Sequence, residues 1–137
     1  MTRILVLIAL TVIAVGVAWA LQRRRPDAPS APSYRAPRQL DRDDFDVPAD
    51  LDLVVVFASS TCDSCPLAWA TVTGIERSGT GAQRVLVQEN PELHKRYKID
   101  GVPTTLVVDR DGVVHASFFG PVEAESIIDA LDSLSSE

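Results

Sequence analysis

The chain has 137 residues, 46% of them apolar, which suits one small domain with additional segments rather than two domains. Its formal net charge of -6 is unevenly distributed: residues 1–40 carry six arginines against one acid, and residues 41–137 carry seven basic side chains against eighteen acids. The acidic part argues against nucleic-acid binding, which requires clustered cations. The basic N-terminal part is suited to a phosphate-rich membrane surface.

The chain opens with a run of eighteen uncharged residues, Ile4–Leu21. As a helix this run would be roughly 27 Å long, close to the thickness of a bilayer core. A cleavable signal peptide is the alternative, because Ala18-Trp19-Ala20 has the form of a cleavage site. The length of the run and the three arginines after it disfavour cleavage. We therefore expect residues 1–21 to form an uncleaved transmembrane helix that associates with the membrane through Ile4–Leu21.

Residues 22–37 hold four prolines among serine, alanine and arginine, which predicts an extended linker. Residues 38–137 are expected to form the folded domain. Three consecutive arginines, Arg23–Arg25, follow the apolar run, whereas Arg3 alone precedes it. The more basic flank normally stays in the cytoplasm, so the domain is predicted on the cytoplasmic face, with the extracytoplasmic face as the alternative.

The folded part reads as alternating strands and helices that end in a hairpin and a helix. The continuous apolar run 53–58 predicts a central strand covered on both faces. The other expected elements are a short strand ending at Leu40, a turn or brief helix over 41–45, a helix over 62–78, a strand over 85–88, a helix starting at Asn90-Pro91, hairpin strands over 104–109 and 113–119, and a helix over 123–134. This order predicts an α/β fold with a mixed central sheet flanked by helices.

Two side-chain expectations accompany these helices. In the last one, an apolar face is predicted from Ile127, Ile128, Leu131 and Leu134. In the helix after Pro91, His94 is expected to be exposed.

The two cysteines of the chain, Cys62 and Cys65, follow the predicted buried strand and open the next predicted helix, with Asp63 and Ser64 between them. A disulfide between two cysteines so close in sequence would close a loop too small to stabilise a fold, so the pair indicates a chemical role. A thiolate is the nucleophile in disulfide exchange, and a helix N-terminus stabilises a negative sulfur. We therefore predict that Cys62 attacks a client disulfide and that Cys65 resolves the mixed disulfide.

Beyond the cysteine pair, residues 38–134 resemble the thioredoxin family. The resemblance rests on the strand before the motif, on Glu89-Asn90-Pro91-Glu92-Leu93, Tyr97, Ile99 and Gly101-Val102-Pro103-Thr104, and on Gly120. It implies a thioredoxin-like fold with a sheet of four or five strands and a cis proline at Pro103 beside the cysteines. It also implies that the backbone of Val102 pairs with the client chain. The Cys62–Cys65 disulfide would be the redox-active group, with no other cofactor.

The chain departs from the family pattern at three places. Family members often carry a buried acid where this chain has Val56, tryptophan where it has Thr61, and Gly-Pro where it has Asp63-Ser64. Because of these differences, a thioredoxin reductase partner is not carried over from the family. Membrane-tethered thioredoxin-like proteins with specific clients are the closer analogy, which implies protein thiol or disulfide clients and an electron donor or acceptor protein as partners.

Two alternative functions would use the same residues. A zinc site would need His94 and His115 as further ligands, and neither has a ligand-like spacing to the cysteines, so no metal is expected. A redox-inactive binding or chaperone module, using the groove at Val102-Pro103, is the alternative to a membrane-anchored thiol–disulfide oxidoreductase.

Overall fold

A computed structural model of the protein describes the backbone of residues 1–23 and 35–136, with side-chain environments for residues 1–17 and 35–136. Most of the predicted linker, residues 24–34, lies outside the described residues.

The chain divides into two units, Met1–Ser33 and Tyr34–Glu137. The first unit contains helix α1, Thr2–Arg23. Across the stretches that the structure describes, no helix meets the length and apolarity that a membrane crossing requires.

The second unit contains a single mixed sheet among the described residues. Its elements are a 3-10 turn at Arg42–Asp44, β1 (Asp52–Ala58), α2 (Cys65–Thr73), β2 (Thr80–Leu86), α3 (Pro91–Arg96), β3 (Thr104–Val108), β4 (Val114–Phe119) and α4 (Ala124–Ser135). The strand order is β2-β1-β3-β4, with β1 and β2 parallel and the other neighbours antiparallel. The predicted α/β fold with a mixed sheet is confirmed, and the sheet has four strands.

Strand β1 lies in the interior of the sheet, and its alternating side chains divide the core into two clusters. Leu53, Val55 and Phe57 pack on the face that α3 covers, together with Leu106 and Tyr97. Val54, Val56 and Ala58 pack on the opposite face, together with Cys65, Ala68, Val72, Val107, Ile127 and Leu131. We call this second side of the sheet the cysteine face. Strand β1 is therefore buried on both faces of the sheet, as its continuous apolar run predicts.

Helix α2 is shorter at both ends than the predicted range of 62–78. Pro66 limits its start, because proline fits only the first turn of a helix, and α2 begins at Cys65. Gly74 follows the last helical residue, and its N–H bonds back into the last turn. The prediction that the helix opens at Cys62 was therefore wrong, since Cys62 lies three residues before it.

Strand β2, Thr80–Leu86, starts five residues before the predicted range of 85–88 and ends two residues before the end of that range. It pairs with β1 along seven residues, because main-chain hydrogen bonds extend the strand through small and polar side chains that carry no apolar pattern. Gly81 permits this extension. A Cβ there would clash with Cγ1 of Val47, which packs against the strand.

Two side chains differ from expectation. His94 is buried, with 6% of its surface exposed, because α3 turns it toward the sheet. Its Nε2 lies 3.0 Å from the Val85 carbonyl oxygen, and its ring packs edge-on against Phe57. In α4, Ile127 is fully buried, whereas Ile128 is 38% exposed, since one residue is a 100° rotation on a helix. The prediction of burial holds for Ile127 and fails for Ile128.

Candidate active site

Cys62, in the loop that joins β1 to α2, forms a disulfide with Cys65, the first residue of α2. Their Cα atoms are 5.4 Å apart, and no cysteine of the described residues is free. Cys65, in the first turn of α2, is buried with 3% exposure, whereas Cys62 is only partly buried. A client disulfide can therefore approach the sulfur of Cys62 more readily than that of Cys65.

Of the two residues between the cysteines, Ser64 lies near Sγ of Cys62 and Asp63 is exposed to solvent. The side chain of Asp63 makes no hydrogen bond or ion pair within the described residues. The Ser64 hydroxyl lies 3.7 Å from Sγ of Cys62. A hydroxyl at that position can donate a hydrogen bond to a thiolate and so favours the charged form of the sulfur.

The segment before β3 contributes Val102 to the apolar cluster that contains the cysteines. The peptide bond between Val102 and Pro103 is cis, and Val102 packs in the same apolar cluster as Cys62 and Cys65. The carbonyl oxygen of Pro103 accepts a hydrogen bond of 2.9 Å from the N–H of Gly120, which ties this segment to the end of β4. Cys62, Cys65 and Val102 therefore belong to one cluster on the cysteine face, and Pro103 follows Val102 directly.

Gln88 contacts the loop that leads into Cys62, and sequence reasoning missed it. Its Nε2 donates to the Ser59 hydroxyl at 2.8 Å, and its Oε1 accepts from the Ser60 N–H at 3.1 Å. The Ser59 carbonyl oxygen in turn accepts the N–H of Cys62 at 3.3 Å. The signal was present in the sequence, because parallel strands end at the same edge of a sheet. Ser59 follows β1 directly, and Gln88 follows β2 after one residue.

The core beneath the cysteines is apolar. Val56, at the position where family members often carry an acid, is fully buried on the cysteine face. The two histidines lie elsewhere: His94 packs on the opposite side of the sheet, and Nε2 of His115 bonds to the Asp109 carboxylate at 2.7 Å. Within the described ranges, no group of three or more His, Cys, Asp or Glu side chains could hold a metal ion.

The carboxylate of Asp109 is the titratable group most affected near the β3–β4 turn. Burial raises its pKa, but hydrogen bonds from His115 and from the N–H groups of Val113 and Asp111 outweigh that effect. The net result is a pKa below the ordinary value for an aspartate. These contacts fix the hairpin turn, and they involve neither cysteine.

The comparisons with known proteins support the fold. No family model and no curated protein matches the chain. Among solved structures, a chloroplastic thioredoxin z is 22% identical, with a TM-score of 0.58 over 64% of this chain and 81% of that one. The germline-specific thioredoxin Deadhead of Drosophila melanogaster is 25% identical, with a TM-score of 0.53 over 62% of this chain and 82% of that one. A malaria parasite thioredoxin-2 is 14% identical, with a TM-score of 0.55 over 61% of this chain and 82% of that one.

The fold and the disulfide together define the class of protein. The chain has a thioredoxin-like fold, and this fold together with the Cys62–Cys65 disulfide supports a thiol–disulfide oxidoreductase.

Proposed function

We propose that the chain exchanges disulfides with client proteins while α1 anchors it to a membrane. The unequal burial of Cys62 and Cys65 supports the proposed disulfide exchange. Cys62 is partly exposed, and Cys65 is buried behind it. Only the outer sulfur can meet a folded client, and only the inner one is held ready to displace that client.

The exchange follows two balanced steps. In the reduced protein, the Cys62 thiolate attacks a client disulfide, forms a mixed disulfide and releases one client sulfur as a thiolate. The Cys65 thiolate then attacks Sγ of Cys62, which re-forms the disulfide and releases the second client sulfur. Two electrons pass from the cysteine pair to the client. A donor protein returns them, or an acceptor protein takes them when the cycle runs in reverse. The disulfide is the redox group, and the proposal needs no other cofactor.

Val102 and Pro103 complete the proposed client site. Val102 belongs to the same apolar cluster as both cysteines, so a client chain lying along its backbone would have its disulfide near Cys62. Pro103 contributes no N–H, and its carbonyl is already bonded to Gly120.

The proposed anchor rests on the sequence of α1. In Ile4–Leu21, Thr11 is the one hydroxyl-bearing side chain and no residue is charged, so the helix has no polar face. A helix that is apolar all round requires an apolar environment. The arginines on its C-terminal flank favour the cytoplasmic face for the domain.

Insulin reduction by full-length protein in detergent, with dithiothreitol as electron source, tests the proposed activity. We expect the protein to accelerate the reaction and the Cys62→Ser variant to have no effect beyond dithiothreitol alone. If wild-type protein and the variant behave alike, oxidoreductase activity is excluded, and the redox-inactive binding module takes its place.

A further inference from the structure

The resolving step requires a thiolate at Cys65, which is a buried residue. Its neighbours on the cysteine face include Val56, Ala58 and Ala68, which offer no polar group. Removing a thiolate from water disfavours the charged form unless a hydrogen bond or an opposite charge compensates. A side chain that donates a hydrogen bond in this cluster would therefore accelerate resolution.

Thr105 is a buried polar side chain on the cysteine face. Its side chain is fully buried, and its Oγ1 has no hydrogen-bond partner among the described residues. Thr105 lies directly opposite Val56 on β1 and opposite Phe118 on β4. Alternation along β3 places it on the same side as Val107, which belongs to the cysteine cluster. Directly opposed Cβ atoms in antiparallel strands lie about 5 Å apart, so Thr105 is adjacent to Val56, which belongs to the same apolar cluster as Cys65.

Of the polar residues in the described domain that are buried as whole residues, the other two, His94 and Thr104, already have partners. His94 lies on the opposite side of the sheet and contacts the Val85 carbonyl. The Thr104 hydroxyl donates to the Gly101 carbonyl at 2.7 Å. A buried hydroxyl without a partner is costly and uncommon, and a redox or catalytic role is one of the recognised explanations.

We propose that the Thr105 hydroxyl donates a hydrogen bond to the sulfur of Cys65 in the reduced protein and stabilises the thiolate that resolves the mixed disulfide. This inference rests on the proposed function. In the disulfide form the sulfur is uncharged and gains little from a donor, which agrees with the unpartnered hydroxyl in the structure. During resolution the proton of Cys65 ends on the departing client sulfur, the Cys65–Cys62 bond forms and the Cys62–client bond breaks. Thr105 keeps its own proton throughout.

The test is single-turnover reaction of the reduced full-length protein with a peptide disulfide, following release of the first and second peptide thiols separately. Thr105→Ser and Thr105→Ala both remove the methyl group, so they share the packing loss and differ in the hydroxyl. We expect Thr105→Ala to slow release of the second thiol by about tenfold near neutral pH and to displace the pH–rate profile of that step to higher pH. Thr105→Ser should retain the wild-type profile, and release of the first thiol should be unchanged in both variants.

Thr80→Ala is the matched control. The Thr80 hydroxyl is also buried without a partner among the described residues, but Thr80 pairs with Asp52 at the end of β1 away from the cysteines. It should leave both steps unchanged. Equal second-step rates and equal pH profiles for Thr105→Ala and Thr105→Ser would overturn the role of Thr105 while leaving the exchange activity intact. Failure of wild-type protein to release even the first thiol would instead refute the proposed function, and the role of Thr105 with it.

Discussion

At the residue scale, the two sulfurs differ in what surrounds them. Cys62 lies in the loop before α2, is partly exposed, and has the Ser64 hydroxyl beside it. Cys65 is the first residue of α2 and is enclosed by apolar side chains. A thiolate at Cys62 is therefore better solvated than one at Cys65, which gives the two residues different roles in one exchange cycle.

Alkylation of the reduced protein near neutral pH should therefore label Cys62 first. The Cys65→Ser variant should accumulate mixed disulfides with clients, because the resolving thiol is absent. Mass spectrometry of the labelled peptides checks the order. Labelling of Cys65 ahead of Cys62 would contradict the assignment of the attacking sulfur.

Gln88 is predicted to position the loop that carries Cys62. Gln88→Ala removes the hydrogen bonds to Ser59 and Ser60 and should lower the rate at which Cys62 attacks a disulfide by about three- to tenfold. Gln83→Ala is the control, because Gln83 also lies beside β1, opposite Val55, and accepts one backbone hydrogen bond from Asp46, which is outside the loop that carries Cys62. Equal rates for the two variants would show that the Gln88 contacts have no role in positioning.

Tyr97 is predicted to make folding sensitive to alkaline pH. Its hydroxyl donates to the Asp44 carboxylate and accepts the Asp41 N–H, and burial followed by the Asp44 bond raises its pKa to about 12. The unfolded chain loses this proton near pH ~10, so the contribution of Tyr97 is complete below that pH and is lost as pH rises toward about 12.

Urea unfolding of wild-type protein and Tyr97→Phe measures that contribution. The wild type should be more stable by about 1 kcal/mol at pH ~8, and the difference should shrink steadily above pH ~10. Other groups titrate in both proteins and cancel in the comparison. A difference that stays constant up to pH ~11.5 would contradict the predicted role of the hydroxyl.

At the element scale, the boundaries of the helices follow from single residues, while burial follows from the rotation of each helix. Pro66 limits the start of α2, and Pro91 begins α3. In α4, Ile127 and Leu131 are four residues apart and share one buried stripe, whereas Ile128 lies to the side of it. The contribution of α4 to the free energy of unfolding should therefore come mainly from Ile127 and Leu131.

Substitutions in α4 test this distribution. Ile127→Ala should lower the free energy of unfolding by about 2–5 kcal/mol, because it leaves a cavity against the cysteine face. Ile128→Ala removes the same atoms from a partly exposed position and should cost about 1 kcal/mol or less. Thermal or urea unfolding of the two variants gives the comparison. Similar losses would mean that α4 packs in a different rotation.

At the scale of the whole molecule, a basic, apolar N-terminal part precedes an acidic folded domain. Residues 1–40 carry a net excess of five positive charges, and residues 41–137 a net excess of eleven negative ones. The basic residues lie next to the apolar run, where the positive-inside rule applies, and acids contribute little to that rule. The acidic domain is therefore compatible with either side of a membrane, and the arginines favour the cytoplasmic one.

A phosphatase that is active only outside the cytoplasm, fused after Glu137, tests the orientation. We expect low activity from the fusion, because Arg23, Arg24 and Arg25 should hold the C-terminal flank inside. Replacing these three arginines with glutamine should raise the activity. High activity from the unchanged fusion would reverse the predicted orientation and place the exchange chemistry where disulfides persist.

The sequence by itself determined the order of the elements, the central strand, the hairpin and the position of the cysteine pair. Each of these is recorded locally, in apolar runs, in turn residues such as Gly112, and in the spacing of Cys62 and Cys65. The predicted limits of α2 and β2 were wrong. Pro66 limits the start of α2, and main-chain pairing with β1 sets the extent of β2, and both effects outweigh the side-chain pattern.

The tertiary structure alone decided which polar groups meet. Gln88 contacts Ser59, His94 packs against Phe57, and Thr105 lies opposite Val56 on the cysteine face, and each of these pairs joins residues at least 29 positions apart. A local pattern reports the average polarity of a residue. Which neighbour it meets depends on strand order and register, and these are set by the packing of the whole domain.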